Sequence, residues 1–108
     1  MDVDRLYRQL QALNEPRGYF FNSDERATRF LLQGLITNRE RYGYMCCPCR
    51  PAREDRDADS DIICPCAYRD DDIREYGSCY CSLYVSEAWN DGLMEKVYVP
   101  ERRPPEKC

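Results

Sequence analysis

The sequence predicts a small, mainly α-helical domain. Three observations carry that reading: apolar residues recur at three- and four-residue steps in two stretches, capping residues and glycines bracket those stretches, and 8 cysteines stand in a chain of only 108 residues. A compact domain of this length buries roughly two-thirds of its unfolded surface. A modest core is therefore expected, with the cysteines acting as staples, ligands or catalysts. Residues 1–108 read as one domain whose tail, from about 100 to 108, is extended.

In the first stretch Val3, Leu6, Tyr7, Leu10 and Leu13 form one stripe of a helix that Pro16 and Gly18 end. Asn22 then offers a cap, with Glu25 three residues on and Asp24 favouring the positive helix end. The buried stripe expected on this second helix is Ala27, Phe30, Leu31, Gly34 and Leu35. Gly43 is placed to terminate it and to deliver the chain into the cysteines at Cys46.

From Arg50 to Asp61 the chain is too charged to enter a core and reads as a solvated loop. Asp70, Asp71 and Asp72 can cap a short helix through Ile73 and Tyr76, closed by Gly77. Leu83, Tyr84 and Val85 fit a strand or a helix equally well. Beyond Val99 the prolines and charges of the tail suit an extended strap over the surface, ending in the thiol of Cys108.

The start, Met1-Asp2-Val3-Asp4-Arg5, lacks the basic residues and apolar run of an export signal, and no stretch is long and apolar enough to span a bilayer. The expectation is a cytoplasmic protein without membrane contact. In a reducing compartment clustered cysteines read as metal ligands or redox catalysts before they read as structural bridges. The net charge of −4, with both signs interspersed, argues against a nucleic-acid partner. The chain has no histidine, so the soft ligand and nucleophile available is cysteine sulfur.

Six cysteines form three doublets, Cys47-Pro48-Cys49, Cys64-Pro65-Cys66 and Cys79-Tyr80-Cys81. In an extended segment residues i and i+2 lie roughly 6.6 Å apart, the wide edge of the disulfide range, so each doublet should seek partners elsewhere. Pro48 and Pro65 bias Cys47 and Cys64 toward extended geometry. A tetrahedral zinc or a cubane cluster takes four sulfurs, which leaves two. A spare pair beside a metal centre suits disulfide reduction, because opening a disulfide takes two electrons whereas an iron-sulfur cluster passes one at a time.

These doublets resemble the catalytic chain of ferredoxin-thioredoxin reductase, whose hallmark is two Cys-Pro-Cys doublets followed by Cys-His-Cys. The approach from Gly34 through Tyr42-Gly43-Tyr44 to Arg50 is similar as well, and the likeness covers roughly residues 20 to 85. The resemblance implies a mainly helical fold wrapped around a [4Fe-4S] cluster, with Cys47, Cys64, Cys66 and Cys79 as cluster ligands. It makes Cys49 and Cys81 the redox pair, Cys49 being the exposed sulfur that attacks a target disulfide and Cys81 the one facing the cluster. It further implies ferredoxin or a similar one-electron donor, thioredoxin or a thioredoxin-like protein as the target, and a second subunit as a further partner.

Tyr80 stands where the family has histidine, and the segment between Cys66 and Cys79 is longer than in plant-type enzymes. An archaeal or anaerobic-bacterial disulfide reductase of the same family is the nearer match. Arg50 offers Cys49 a positive charge, against the plain reading of a solvated side chain beside a turn.

Competing readings are a structural zinc-binding interaction module, which the Cys46/Cys49 spacing allows, and a simple iron-sulfur electron carrier, which leaves the spare pair idle. A disulfide scaffold fits the wide i, i+2 separation poorly. Cys46 reads as a small buried apolar residue, and Trp89 as either a partner contact or cover for the cysteines.

Overall fold

The computed structural model describes residues 2–107, and Cys108 lies outside them. Helix α1 spans Val3–Asn14 and opens on Asp2, whose carboxylate accepts the Arg5 N–H at 2.8 Å. Leu6 is buried, and Val3, Tyr7 and Leu10 pack against the main core, as the stripe requires. Leu13 instead is 65% exposed. The inward position at this end belongs to Asn14, whose amide donates to the Leu10 carbonyl at 2.8 Å and the Tyr84 hydroxyl at 3.3 Å. A 3₁₀ turn, Glu15–Arg17, follows and Gly18 ends it.

Helix α2 spans Glu25–Tyr42. Its cap is Asp24, accepting the Ala27 N–H at 3.1 Å, whereas Asn22 accepts the Asp24 N–H and sets up the turn before it. The buried face is Thr28, Leu31, Leu32, Leu35 and Ile36, at i, i+3, i+4, i+7 and i+8. Phe30 is 78% exposed, so the true stripe is rotated about one residue from the expected one. Thr28 is fixed inward by donating its hydroxyl to the Asn22 carbonyl at 2.8 Å, which commits Leu32 and Ile36 to the same side. Gly43 closes the helix at φ 84°, a left-handed conformation that side chains disfavour, and donates to the Arg39 carbonyl.

Beyond a 3₁₀ turn at Ser60–Ile62, helix α3 covers Arg69–Tyr76 and Gly77 ends it. No side chain caps its start: Asp70, Asp71 and Asp72 sit inside the first turn, and Asp72 is buried against Arg102. Strand β1, Phe20–Phe21, pairs antiparallel with β2, Tyr84–Val85, in the register Phe20–Val85 and Phe21–Tyr84. This small sheet settles Tyr84 and Val85 as strand, with Leu83 in the bend before it, and adds a β element to the helical domain the sequence predicts.

Helix α4, Glu87–Asn90, is capped by Ser86 and buries Trp89, over whose ring Lys96 lies. The segment from Leu93 to Pro104 has no helix or strand, and Pro105–Lys107 forms a 3₁₀ turn within the tail expected to be extended. Among the described residues no helix is long and apolar enough to cross a membrane.

The main core joins α1, α2, α3 and the sheet through Leu6, Phe21, Leu32, Leu35, Ile73 and Tyr84, and Cys79 belongs to it. A second cluster, Tyr44, Cys46, Cys47 and Ile62, underlies the first doublet. Cys46 is fully buried there, as expected of a small apolar filler. Cys79 thus belongs to the first body and Cys47 to the second, and Cys81 packs against both.

The charged segment expected to be a solvated loop is partly buried. Arg50 is 5% exposed, and Asp59 is fully buried, accepting from the Tyr44 hydroxyl at 2.6 Å and from the Arg53 N–H. Arg103 reaches back from the tail to Asp59 at 3.5 Å and to Asp61 at 3.0 Å. The tail is thus pinned to this loop by buried charge.

Candidate functional site

Three short backbone devices bring the doublets together. The first two are joined by an antiparallel bridge between Cys46 and Ile63, with the Cys47 N–H donating to the Ile62 carbonyl at 2.7 Å and the Cys64 N–H to the Met45 carbonyl at 2.8 Å. The third is folded over by a turn in which the Ser82 N–H donates to the Cys79 carbonyl, while the Cys79 N–H donates to the Tyr84 carbonyl at the end of the sheet. Pro48 rests on α2 at Gly34, where any β-carbon would come within 2.9 Å of the proline β-carbon.

One cavity is lined by Cys47, Cys64, Cys66, Cys79 and Cys81. Leu31, Leu83 and Tyr84 wall it from the core side, and Pro48, Tyr80 and the guanidinium-bearing Arg50 and Arg69 complete it. Cys49 does not line this cavity and is exposed. The Sγ atoms of Cys47 and Cys81 lie 2.6 Å apart, and those of Cys47, Cys49 and Cys81 all lie within 4.8 Å of one another. The four residues that the resemblance makes ligands therefore face one space, and the two it makes a redox pair stand within that 4.8 Å.

Burial dominates the acidity of the interior thiols. It pushes Cys64 well up, Cys79 to about 11, and Cys66 up against the opposing pull of Arg50. Cys49 moves the other way: hydrogen bonding from the Cys47 and Cys81 thiols, ahead of a smaller contribution from the Arg50 charge, holds it as the thiolate of the group. Cys81, donating into the same cluster, is correspondingly raised.

The donor set fits a thiophilic centre. Buried thiols give up their protons when a cation at their centre replaces them, and soft sulfur suits iron-sulfur clusters and zinc. The Tyr84 N–H points at Cys79 Sγ at 3.4 Å and Arg50 Nη1 at Cys66 Sγ at 3.5 Å, the kind of N–H···S contact that tunes ligand sulfurs. Two buried guanidinium groups offset the negative charge that four thiolates bring to such a centre. Arg69 is itself fixed by Asn14 Oδ1 at 2.7 Å and lies over the rings of Tyr19 and Tyr84.

Sequence reasoning missed the burial of Arg50 and the parts played by Arg69 and Glu101. Arg50 donates through Nε and Nη2 to both carboxylate oxygens of Glu101, at 2.8 to 3.0 Å. No local signal distinguishes it from a solvated arginine, because its partner comes from the far end of the chain. Tyr80 lies under the same guanidinium, 4.5 Å from ring centroid to charge.

Comparison with known proteins agrees with the doublet pattern. Residues 2–101 match the model of the family described as ferredoxin thioredoxin reductase catalytic beta chain. Over 72 residues, 64% of its length, the chain is 33% identical to the ferredoxin-thioredoxin reductase catalytic chain of Porphyra purpurea. It is equally identical over the same extent to that of Pyropia yezoensis, and 24% identical over 89 residues to that of Cyanidium caldarium. The matched part spans 57% and 58% of the Porphyra and Pyropia proteins and 74% of the Cyanidium protein.

Proposed function

We propose, since the chain belongs to the ferredoxin thioredoxin reductase catalytic beta chain family, that it is a disulfide reductase. In this reading electrons from ferredoxin or a similar one-electron donor reach a protein disulfide of thioredoxin or a thioredoxin-like target. Cys47, Cys64, Cys66 and Cys79 would hold a [4Fe-4S] cluster, and Cys49 with Cys81 would form the redox-active pair. A second subunit is part of the proposal, since relatives carry the name of a catalytic chain.

One observation supports this division best: the four named ligands line a single cavity with Cys81, whereas Cys49 is exposed beside it. When bound, the cluster supplies electrons one at a time. The protein's own sulfurs do the exchange. Exposed Cys49 thiolate attacks one sulfur of the target disulfide, forming a mixed disulfide and releasing the other target sulfur as thiolate. Cys81 then attacks Cys49, forming the Cys49–Cys81 disulfide and releasing the second target thiolate. Two electrons and two protons return the pair to its dithiol form.

The test compares two serine variants. Cys49→Ser is expected to retain bound iron and lose turnover of disulfides, and Cys64→Ser to lose iron as well, because a hard hydroxyl replaces a thiolate ligand poorly. Full disulfide turnover by Cys49→Ser contradicts the assignment.

A zinc-binding module is the second reading, favoured by the grouping of Cys47, Cys49 and Cys81 sulfurs within 4.8 Å. It leaves Cys64, Cys66 and Cys79 facing the cavity without a role, and metal analysis separates the two.

A further inference from the structure

Arg50 meets each of the three doublets, as a neighbour along the chain or in space. It follows Cys49 in the first doublet, points Nη1 at Cys66 Sγ of the second at 3.5 Å, and lies 4.5 Å over the ring of Tyr80 in the third. The guanidinium also lies over the Tyr68 ring at 5.2 Å, and Glu101 grips it through both carboxylate oxygens. The arginine side chain is 1% exposed and the glutamate 28%, so the cation is buried at the cavity while its counter-ion reaches toward solvent.

That asymmetry has an electrostatic consequence. Reduction of any centre held by the four thiolates adds negative charge beside Cys66. A buried cation in contact with a ligand sulfur stabilises the more negative state, since low dielectric strengthens the attraction and screening by salt is weak. Glu101 opposes this from a more solvated position, so its influence is smaller and of opposite sign.

Resting on the function proposed above, we propose that Arg50 is a positioning residue with two roles. It holds the three doublets and the C-terminal segment in one arrangement, and its fixed charge raises the reduction potential of the centre, with Glu101 moderating that effect.

The test uses the full chain, prepared anaerobically with its iron, and reads the midpoint potential by a spectroscopically monitored redox titration alongside iron content. Arg50→Gln is expected to shift the midpoint to more negative potential, Arg50→Lys to restore most of that shift, and Glu101→Gln to move it to more positive potential. A purely space-filling arginine predicts no opposed shifts. Equal shifts in Arg50→Gln and Arg50→Lys, or no positive shift in Glu101→Gln, overturn the inference. Should Arg50→Gln fail to hold iron, the Glu101→Gln titration decides alone: a positive shift supports the inference and an unchanged midpoint overturns it. Iron-free wild-type protein ends the proposed function and this inference with it, whereas iron-loaded wild type with unmoved variants ends the inference only.

Discussion

Gly34 and Pro48 are in contact: a β-carbon placed on Gly34 would meet the Pro48 β-carbon at 2.9 Å. Helix α2 thus carries the first cysteine doublet directly on its backbone, and the glycine is a spacing requirement. Gly34→Ala should raise helix propensity by about 1 kcal/mol yet force Pro48 away, at an overpacking cost of about 1–3 kcal/mol. The expected outcome is a folded protein with unchanged helix content by circular dichroism and diminished iron retention. Iron retention equal to wild type would contradict the contact's role.

Arg103 makes a stronger structural claim. Its side chain is fully buried and shared between Asp59, itself fully buried, and Asp61. Removing one partner of such a network leaves uncompensated buried charge, so Arg103→Ala should cost about 3–5 kcal/mol in urea unfolding. A loss within the range of an exposed ion pair, about 0–1 kcal/mol, would show that the tail is not held this way.

The same network has a pH signature. Burial pushes the Asp61 carboxyl up, but hydrogen bonds from the Tyr68 hydroxyl and the Arg103 guanidinium outweigh it and leave its pKa below the ordinary value. A carboxylate with a depressed folded-state pKa contributes stability that is fully present above its unfolded value, near 4. That stability is lost as pH falls from there through the lower folded value. Asp61→Asn should therefore be less stable than wild type at neutral pH, and the gap should narrow below about pH 4. A gap independent of pH would contradict the assignment.

Much of the local structure was legible in the residues. The helical period located α1 and α2, Gly43 and Gly77 ended α2 and α3 where expected, and the doublet spacing singled out the sulfurs that the fold gathers. The failures share a cause. Leu13 and Phe30 are apolar, yet Asn14 and Thr28 take the inward places because each has a polar partner, Tyr84 or the Asn22 carbonyl, that lies off its own helix. Arg50 and Asp59 read as solvated because Glu101 and Arg103 lie more than forty residues away along the chain. Charge pairing over such separations leaves no periodic trace in sequence, whereas caps and stripes act within a few residues.

The proposed function requires four thiolates of this chain to share one iron-sulfur centre while two further thiols work beside it. Iron and acid-labile sulfide measured together on the anaerobically purified chain test it most directly. Roughly four of each per chain is expected, as a cubane requires. Stoichiometric zinc without sulfide would overturn the proposed function.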